Sequence, residues 1–126
     1  MPEPSLYERV GGMPFFEALV DRFYDGVAED DILLPLYPER DDLLGARRRL
    51  ALFLVQYWGG PTTYLSERGH PRLRARHSPY VIAALQRDRW LLHMRAAIDA
   101  SGVGDRERDE LHAYMTMAAD AMLNAG

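Results

Sequence analysis

Residues 69–80, GHPRLRARHSPY, form the stretch around which we interpret the rest of the chain. His77 ends a short arginine-rich helical turn, and Ser78-Pro79 follows it, so the proline fixes the direction in which the backbone leaves. A histidine at such a chain reversal can direct one imidazole nitrogen into the protein. A lone histidine is more often a surface or structural residue than a ligand, so this segment by itself leaves both interpretations open.

The composition indicates a single domain without thiol chemistry. The chain has 126 residues, of which 48% are hydrophobic, and we expect one domain over residues 1–126 with a sizeable core. It contains no cysteine, which excludes disulfides, thiolate metal sites and thiol nucleophiles. The first residues, MPEP, do not start a basic region followed by an apolar run, and no window approaches the roughly 18 apolar residues of a membrane span. We therefore expect a cytoplasmic protein with no integral membrane segment.

The hydrophobic pattern predicts an all-α fold. Apolar residues recur at intervals of three and four, and no segment alternates with period two. Ser5 and Glu8 have the spacing of a capping box, and Gly11-Gly12 follows, which predicts a short first helix. An irregular segment with short helical pieces is expected over residues 62–79, between longer helices that are predicted over residues 13–29, 41 or 42–58, 80–100 and 105–124.

The apolar stripes also predict which side chains face the core. In the helix that ends at residue 58, the inward positions include Tyr57. In the helix over residues 80–100, they include Leu85, Trp90 and Leu92. These assignments follow from sequence spacing alone.

Three aromatic residues with polar groups favour a ligand inside the core. Tyr24 and Trp90 lie on apolar stripes, and Tyr37 lies at an apolar corner between two prolines. A buried hydroxyl or indole N–H without a partner costs about 1–3 kcal/mol. Several such groups in one small core therefore suggest a polar occupant, although aromatic residues on helix stripes are usually plain core.

Charge provides a second argument for a pocket. The formal net charge of −4 argues against a nucleic-acid-binding domain. All 15 cationic residues are arginine; skewed codon composition is the simplest explanation, but arginine also pairs bidentately with carboxylates. Some arginines flank the candidate pocket segments and could bind ligand carboxylates. They are Arg49, Arg72, Arg74 and Arg76. The alternative is that these arginines form a solvated face.

Ordered segments over nearly the whole chain carry a family resemblance. They are LYERVGG at residues 6–12, RFY at 22–24, LYPE at 36–39, QYWGGP at 56–61, GHPRLR with the following Arg76-His77, and Trp90. In this order they resemble the group II truncated haemoglobins, the type often called haemoglobin O. Several long motifs in register are far more specific than His77 alone.

The resemblance implies a truncated globin, a two-over-two α-helical sandwich around haem b, with His77 as the proximal iron ligand. In this family pattern, Tyr24, Tyr37 and Trp90 line the opposite face, where a gas ligand binds. Ala46 occupies the position at which longer globins usually carry a distal histidine or glutamine.

Further residues are expected to hold the haem. Arg49 and Tyr64 match positions of haem-propionate partners in this family, and Arg76 is a third candidate. Burial of the apolar haem plate is favourable by about 25 cal/mol per Å². The side chains expected to pack against the plate are Leu50, Phe53 and Phe23.

The resemblance also implies an open sixth position on the iron. Because no histidine lies near Ala46, we expect oxygen, carbon monoxide, nitric oxide or cyanide to bind there. The second nitrogen of His77 is expected to donate to a backbone carbonyl. His70, His93 and His112 are assigned surface or structural roles.

The leading functional hypothesis is a haem protein for oxygen binding or transport, with slow oxygen release. An enzyme for nitric oxide removal or peroxidase-like chemistry is the alternative, and it requires an external reductase because the chain has no G-x-G-x-x-G motif. A third alternative is a haem-free helical interaction module. The sequence leaves open the physiological ligand and the choice between a monomer and a homodimer.

Overall fold

The computed structural model of the protein describes residues 3–125, apart from the side chain of Arg74. The predicted domain bounds at residues 1 and 126 lie outside this range. All regular elements within it are helices, which confirms the all-α prediction, and none of them is long and apolar enough to cross a membrane. They are α1 (Leu6–Arg9), α2 (Met13–Ala28), a 3₁₀ turn (Leu34–Leu36), α3 (Leu44–Tyr57), α4 (Thr63–Arg68), α5 (Leu73–His77), α6 (Ala84–Ala100) and α7 (Asp105–Ala121).

Two pairs of long helices build the fold. α2 packs against α3, α6 packs against α7, and α2 also contacts α6, which joins the two pairs. This is the two-over-two sandwich that the resemblance implies. Apolar side chains spaced by three and four residues form the core between the helices, and its largest fully buried members include Phe16, Leu19, Phe23, Leu54, Met94, Ile98, Leu111 and Met115.

The short α1 is held against the end of α3. The Oγ of Ser5 accepts a hydrogen bond from the N–H of Glu8 at 3.3 Å, as the capping-box spacing predicts. The N–H of Tyr7 donates to the carbonyl of Trp58 at 3.1 Å. A Cβ atom at Gly60 would lie 2.8 Å from the Tyr7 ring, so glycine permits this close approach.

The long helices are shorter than predicted. α3 begins at Leu44, because the carboxylate of Asp42 accepts a hydrogen bond from the N–H of Leu44 at 3.0 Å ahead of the first turn. α6 begins at Ala84 rather than near residue 80. The N–H of Ile82 instead donates to the side chain of Asn124. Asn124 was the predicted last residue of α7, but the helix ends at Ala121, so Asn124 lies outside it.

Three of the predicted core positions are wrong. Tyr57, Leu85 and Leu92 are 50%, 53% and 53% exposed. On α6 the buried stripe passes through Leu91, which is 6% exposed, and the neighbouring Leu92 therefore points about 100° away. Tyr57 lies at the surface, where its ring contacts that of Tyr114 with centroids 4.1 Å apart.

A buried carboxylate ties the corner after α2 to α6. The side chain of Asp30 is 1% exposed. Its Oδ1 accepts hydrogen bonds from the N–H groups of Ile32 and Leu33 at 2.8 and 3.2 Å and so caps the turn that follows. Its Oδ2 accepts one from Arg89 at 2.9 Å and lies 2.6 Å from Nε2 of His93.

The pKa of Asp30 reflects these contacts. Burial raises the pKa, but the hydrogen bonds from His93, the two backbone N–H groups and Arg89 outweigh burial and lower the pKa to about 2. Since Arg89 and His93 flank Trp90 on α6, and the corner leads on to Tyr37, the same carboxylate fixes the spacing between two predicted ligand-binding residues.

Asp30→Asn is expected to lower the free energy of unfolding by about 1.5–3 kcal/mol, because the amide keeps the shape but removes the charge. Urea unfolding at pH 7 measures the difference from the wild type. The folded pKa of about 2 lies below the ordinary aspartate value of 3.8, so the stabilisation is present above about pH 4 and is lost as the pH falls through 2. The difference between the two proteins should shrink over that interval. Equal stability at pH 7 would contradict this account.

Candidate functional site

A cavity of about 490 Å³ lies between the helices and opens partly to the surface. Its size falls in the range of roughly 300–1,000 Å³ that is usual for sites of small ligands and cofactors. Every helix except α1 contributes side chains to its wall. Ten of the residues assigned from the sequence to the cofactor and its gas ligand line this one cavity: Tyr24, Tyr37, Ala46, Arg49, Leu50, Phe53, Tyr64, Arg76, His77 and Trp90.

His77 is the last residue of α5, and its ring is fixed from within its own helix. Nδ1 lies 2.6 Å from the carbonyl oxygen of Leu73, one turn earlier. Because a carbonyl only accepts, Nδ1 carries the proton in this contact. In the neutral imidazole with this tautomer, the other ring nitrogen, Nε2, is the acceptor, and the residue lines the cavity.

Arg76 braces the loop that leads into α5. Its Nε donates to the carbonyl of Pro71 at 2.6 Å, and its Nη2 donates to that of Arg68 at 2.8 Å. Its guanidinium carbon lies 5.9 Å from the centre of the Tyr64 ring. The positive charge of Arg76 stays available at the cavity wall, because backbone carbonyls do not neutralise it.

Arg49 also lines the cavity, and it contacts a carboxylate. Its Nη2 donates to Oε1 of Glu39 at 2.9 Å. The pKa of Glu39 is lowered, first by its own backbone N–H and then by Arg49. Since this pair is partly exposed, a carboxylate of a cofactor can compete for Arg49 at small cost.

Tyr24 and Tyr37 are neighbours that stay protonated. Their rings meet edge to face with centroids 5.6 Å apart. Burial raises the pKa of Tyr24 to about 12, although the Tyr37 hydroxyl lowers it in part. The pKa of Tyr37 is raised well above 10 by burial and by Tyr24. Both residues therefore keep a hydroxyl proton to donate at neutral pH.

Phe23 differs from its predicted role. It is fully buried and lies behind the cavity wall, outside the lining. Its ring is 4.9 Å from that of Tyr24 and 5.2 Å from that of Trp90. Both contacts are edge to face, so Phe23 sets the spacing of two polar aromatic residues and does not pack against a ligand.

Ala46 is buried in the lining and exposes only a methyl group to the cavity. The next residue, Arg47, crosses from α3 to α2. Its Nη1 and Nη2 form ion pairs with Asp21 and Asp25 at 3.2 and 3.1 Å, and its guanidinium carbon lies 5.8 Å from the Tyr24 ring centre. Arg47 thus covers the outer side of the tyrosine.

Of the two other predicted arginines, Arg72 does not belong to the site. Arg72 is exposed, lies outside the lining and has a φ of 45°, and its N–H donates to Nδ1 of His70 at 3.1 Å. The side chain of Arg74 lies outside the described part of the structure. The remaining histidines have the structural roles expected for them: His93 contacts Asp30, and the Nε2 of His112 lies 2.9 Å from Asp99.

Several lining residues were missed. Met115, Ala119 and Met122 recur at intervals of four and three residues, so apolar spacing could have placed them in the wall. Arg68 and Arg87 also line the cavity. Nothing in their local sequence distinguishes them from surface arginines.

The cavity suits the haem that the resemblance implies. Its wall combines apolar side chains from α3 and α7 with one imidazole whose Nδ1 is already engaged and with several arginines. Imidazole is a common axial ligand of haem iron, and guanidinium groups pair with carboxylates such as the haem propionates. The donor set therefore fits haem b.

Comparison with known proteins agrees with this chemistry. Residues 5–124 match the family model described as bacterial-like globin. A group 2 truncated haemoglobin of Bacillus subtilis is 40% identical over 118 residues, which cover 94% of this chain and 87% of that protein.

Solved structures show the same fold. A thermostable haemoglobin from the actinobacterium Thermobifida fusca is 55% identical, with a TM-score of 0.93 over 96% of this chain and 98% of that one. A truncated oxygen-avid haemoglobin from Bacillus subtilis is 39% identical, with a TM-score of 0.89 over 96% of this chain and 100% of that one.

Proposed function

Since the chain belongs to the bacterial-like globin family and is a group II truncated haemoglobin, a haem protein for diatomic gases, we propose that it binds oxygen with slow release. In this proposal His77 is the only protein ligand of a five-coordinate iron. Tyr24, Tyr37 and Trp90 form a polar cage around the gas.

One observation carries the proposal. A histidine with its Nδ1 already engaged and three aromatic hydrogen-bond donors line the same cavity, although they come from distant parts of the chain. Bound haem supplies an iron that coordinates one imidazole and one gas molecule. The tyrosine hydroxyls stay protonated because the pKa of each is raised.

The surrounding residues have supporting roles. Arg49, Tyr64 and Arg76 bind the propionates, and Leu50 and Phe53 pack on the porphyrin. Ala46 leaves the approach to the iron open, since a methyl group cannot coordinate iron as a distal histidine does. The structure of the related Bacillus subtilis protein is described as that of an oxygen-avid haemoglobin, which supports slow release in this chain.

His77→Ala is expected to lose most haem affinity, because only packing and propionate contacts would then hold the cofactor. Haem content of the purified protein and its visible spectrum measure the loss. Added imidazole should partly restore the five-coordinate spectrum by filling the space left by the side chain.

The matched control is His70→Ala, which removes an exposed histidine outside the cavity. It should keep full haem content. Normal haem content and unchanged iron coordination in His77→Ala would refute the assignment of His77 as the ligand.

Trp90→Phe should speed oxygen release about tenfold or more. Dioxygen gains partial negative charge on binding, and a hydrogen bond to it in a dry pocket is worth about 1.5–3 kcal/mol, where 1.4 kcal/mol is tenfold. Carbon monoxide stays far less polar, so its release should change less. Stopped-flow displacement from the ferrous protein measures both rates.

Trp58→Phe is the control for that experiment, because Trp58 is partly buried outside the cavity lining. Tyr37→Phe and the double variant with Trp90→Phe test whether the donors act on one ligand, in which case their effects are not additive. Unchanged oxygen release in all variants of Trp90 and Tyr37 would contradict the polar cage.

The same donors favour a second candidate function, removal of nitric oxide or peroxidase-like chemistry. Hydroxyl and indole N–H groups can stabilise negative charge that develops on an oxygen ligand. Turnover then requires electrons from an external reductase, since the chain has no nicotinamide or flavin motif. Multi-turnover oxidation of nitric oxide with added reductase, and its loss in Trp90→Phe, would favour the enzyme over the oxygen binder.

A further inference from the structure

The segment after α7 is bonded to the loop that follows His77. The side chain Oδ1 of Asn124 accepts a hydrogen bond from the N–H of Ile82 at 2.8 Å. Its Nδ2 donates to the carbonyl of Tyr80 at 2.8 Å and to that of His77 at 3.3 Å. The backbone N–H of Asn124 donates to the carbonyl of Ile82 at 2.9 Å. One residue thus holds three points of the loop.

α5 needs such an external anchor. It has five residues, and an isolated helix of that length is unstable in water because nucleation is costly. Within α5, the contact between His77 and Leu73 orients the ring relative to its own turn but not relative to the rest of the cavity. After His77 the chain passes through Ser78-Pro79, which cannot continue a helical ladder at the proline.

We propose that Asn124 is a positioning residue for the proximal ligand. It touches the backbone carbonyl of His77 and fixes where α5 ends against α7, which sets the direction of Nε2 toward the iron. The inference rests on the proposed role of His77. Asn124 itself does not line the cavity.

The chemistry of the amide matches this task. A carboxamide offers one acceptor and two donors, and the loop presents one N–H and two carbonyls at that point. An aspartate of the same shape keeps the acceptor for Ile82 but places a second oxygen against the two carbonyls. Asn124→Asp therefore separates the contact with Ile82 from the contacts that reach His77 and Tyr80.

The experiment compares Asn124→Asp and Asn124→Ala with the wild type in the ferrous, ligand-free holoprotein. The iron–histidine stretching band in resonance Raman spectra is expected to shift or broaden in both variants. The rate of haem transfer to excess apomyoglobin should rise about fivefold to tenfold, which corresponds to about 1–1.4 kcal/mol from the lost hydrogen bonds. Asn124→Asp should be affected at least as strongly as Asn124→Ala.

Met117→Ala is the control, because it changes an exposed side chain of α7 outside the cavity wall. Its Raman band and haem-transfer rate should match the wild type. Thermal unfolding followed by far-UV circular dichroism should show that all the proteins are folded at about 25 °C, with the midpoints of the Asn124 variants lowered by no more than about 8 °C, the shift that a loss of about 1 kcal/mol predicts. Should Asn124→Ala fail to fold, Asn124→Asp and Asn124→Ser carry the test.

Two outcomes would overturn the inference. An unchanged iron–histidine band in both Asn124 variants would show that Asn124 does not position His77. A wild-type band in Asn124→Asp with a shifted band in Asn124→Ala would assign the effect to Ile82 alone. Failure of the proposed ligand is distinguished by His77→Ala: if that variant keeps the band, His77 is not the iron ligand.

Discussion

The fold depends on a cavity that the chain's own side chains do not fill. Protein interiors are packed as densely as organic crystals, yet four long helices here enclose about 490 Å³ of space. An apolar lining left in contact with water costs about 25 cal/mol per Å² of exposed surface, and bound haem removes that contact. The helices can therefore hold this arrangement because haem completes the core.

The sequence predicted the fold class and the residues that meet at the cavity, and it predicted them by different means. The hydrophobic period and the capping residues predicted the helices, because each of these signals depends on residues within one or two helical turns. The ten cavity residues were assigned by their resemblance to the family, which uses order along the whole chain. Apolar spacing wrongly predicted that Tyr57 and Leu92 are buried. Where two adjacent positions are both apolar, spacing does not show which of them packs against a neighbouring helix.

Contacts between distant segments had no local signal. One oxygen of Asp30 caps the turn that follows it, whereas the other contacts residues 59 and 63 positions later. Asn124 lies near the predicted end of a helix, yet its amide bonds to residues more than 40 positions earlier. Such contacts follow from the packing of whole helices, and no pattern within a short window encodes them.

The two sides of the cavity are held by different kinds of interaction. Around Tyr24 and Trp90, long helices, the fully buried Phe23 ring and the Asp30 carboxylate fix the donors through buried contacts. Around His77, a five-residue helix is fixed by exposed or partly buried hydrogen bonds of Arg76 and Asn124. Exposed bonds compete with water and are weaker than buried ones. Substitutions that leave the core intact can therefore adjust the proximal side, whereas a change in the spacing of the donors requires a change in the core itself.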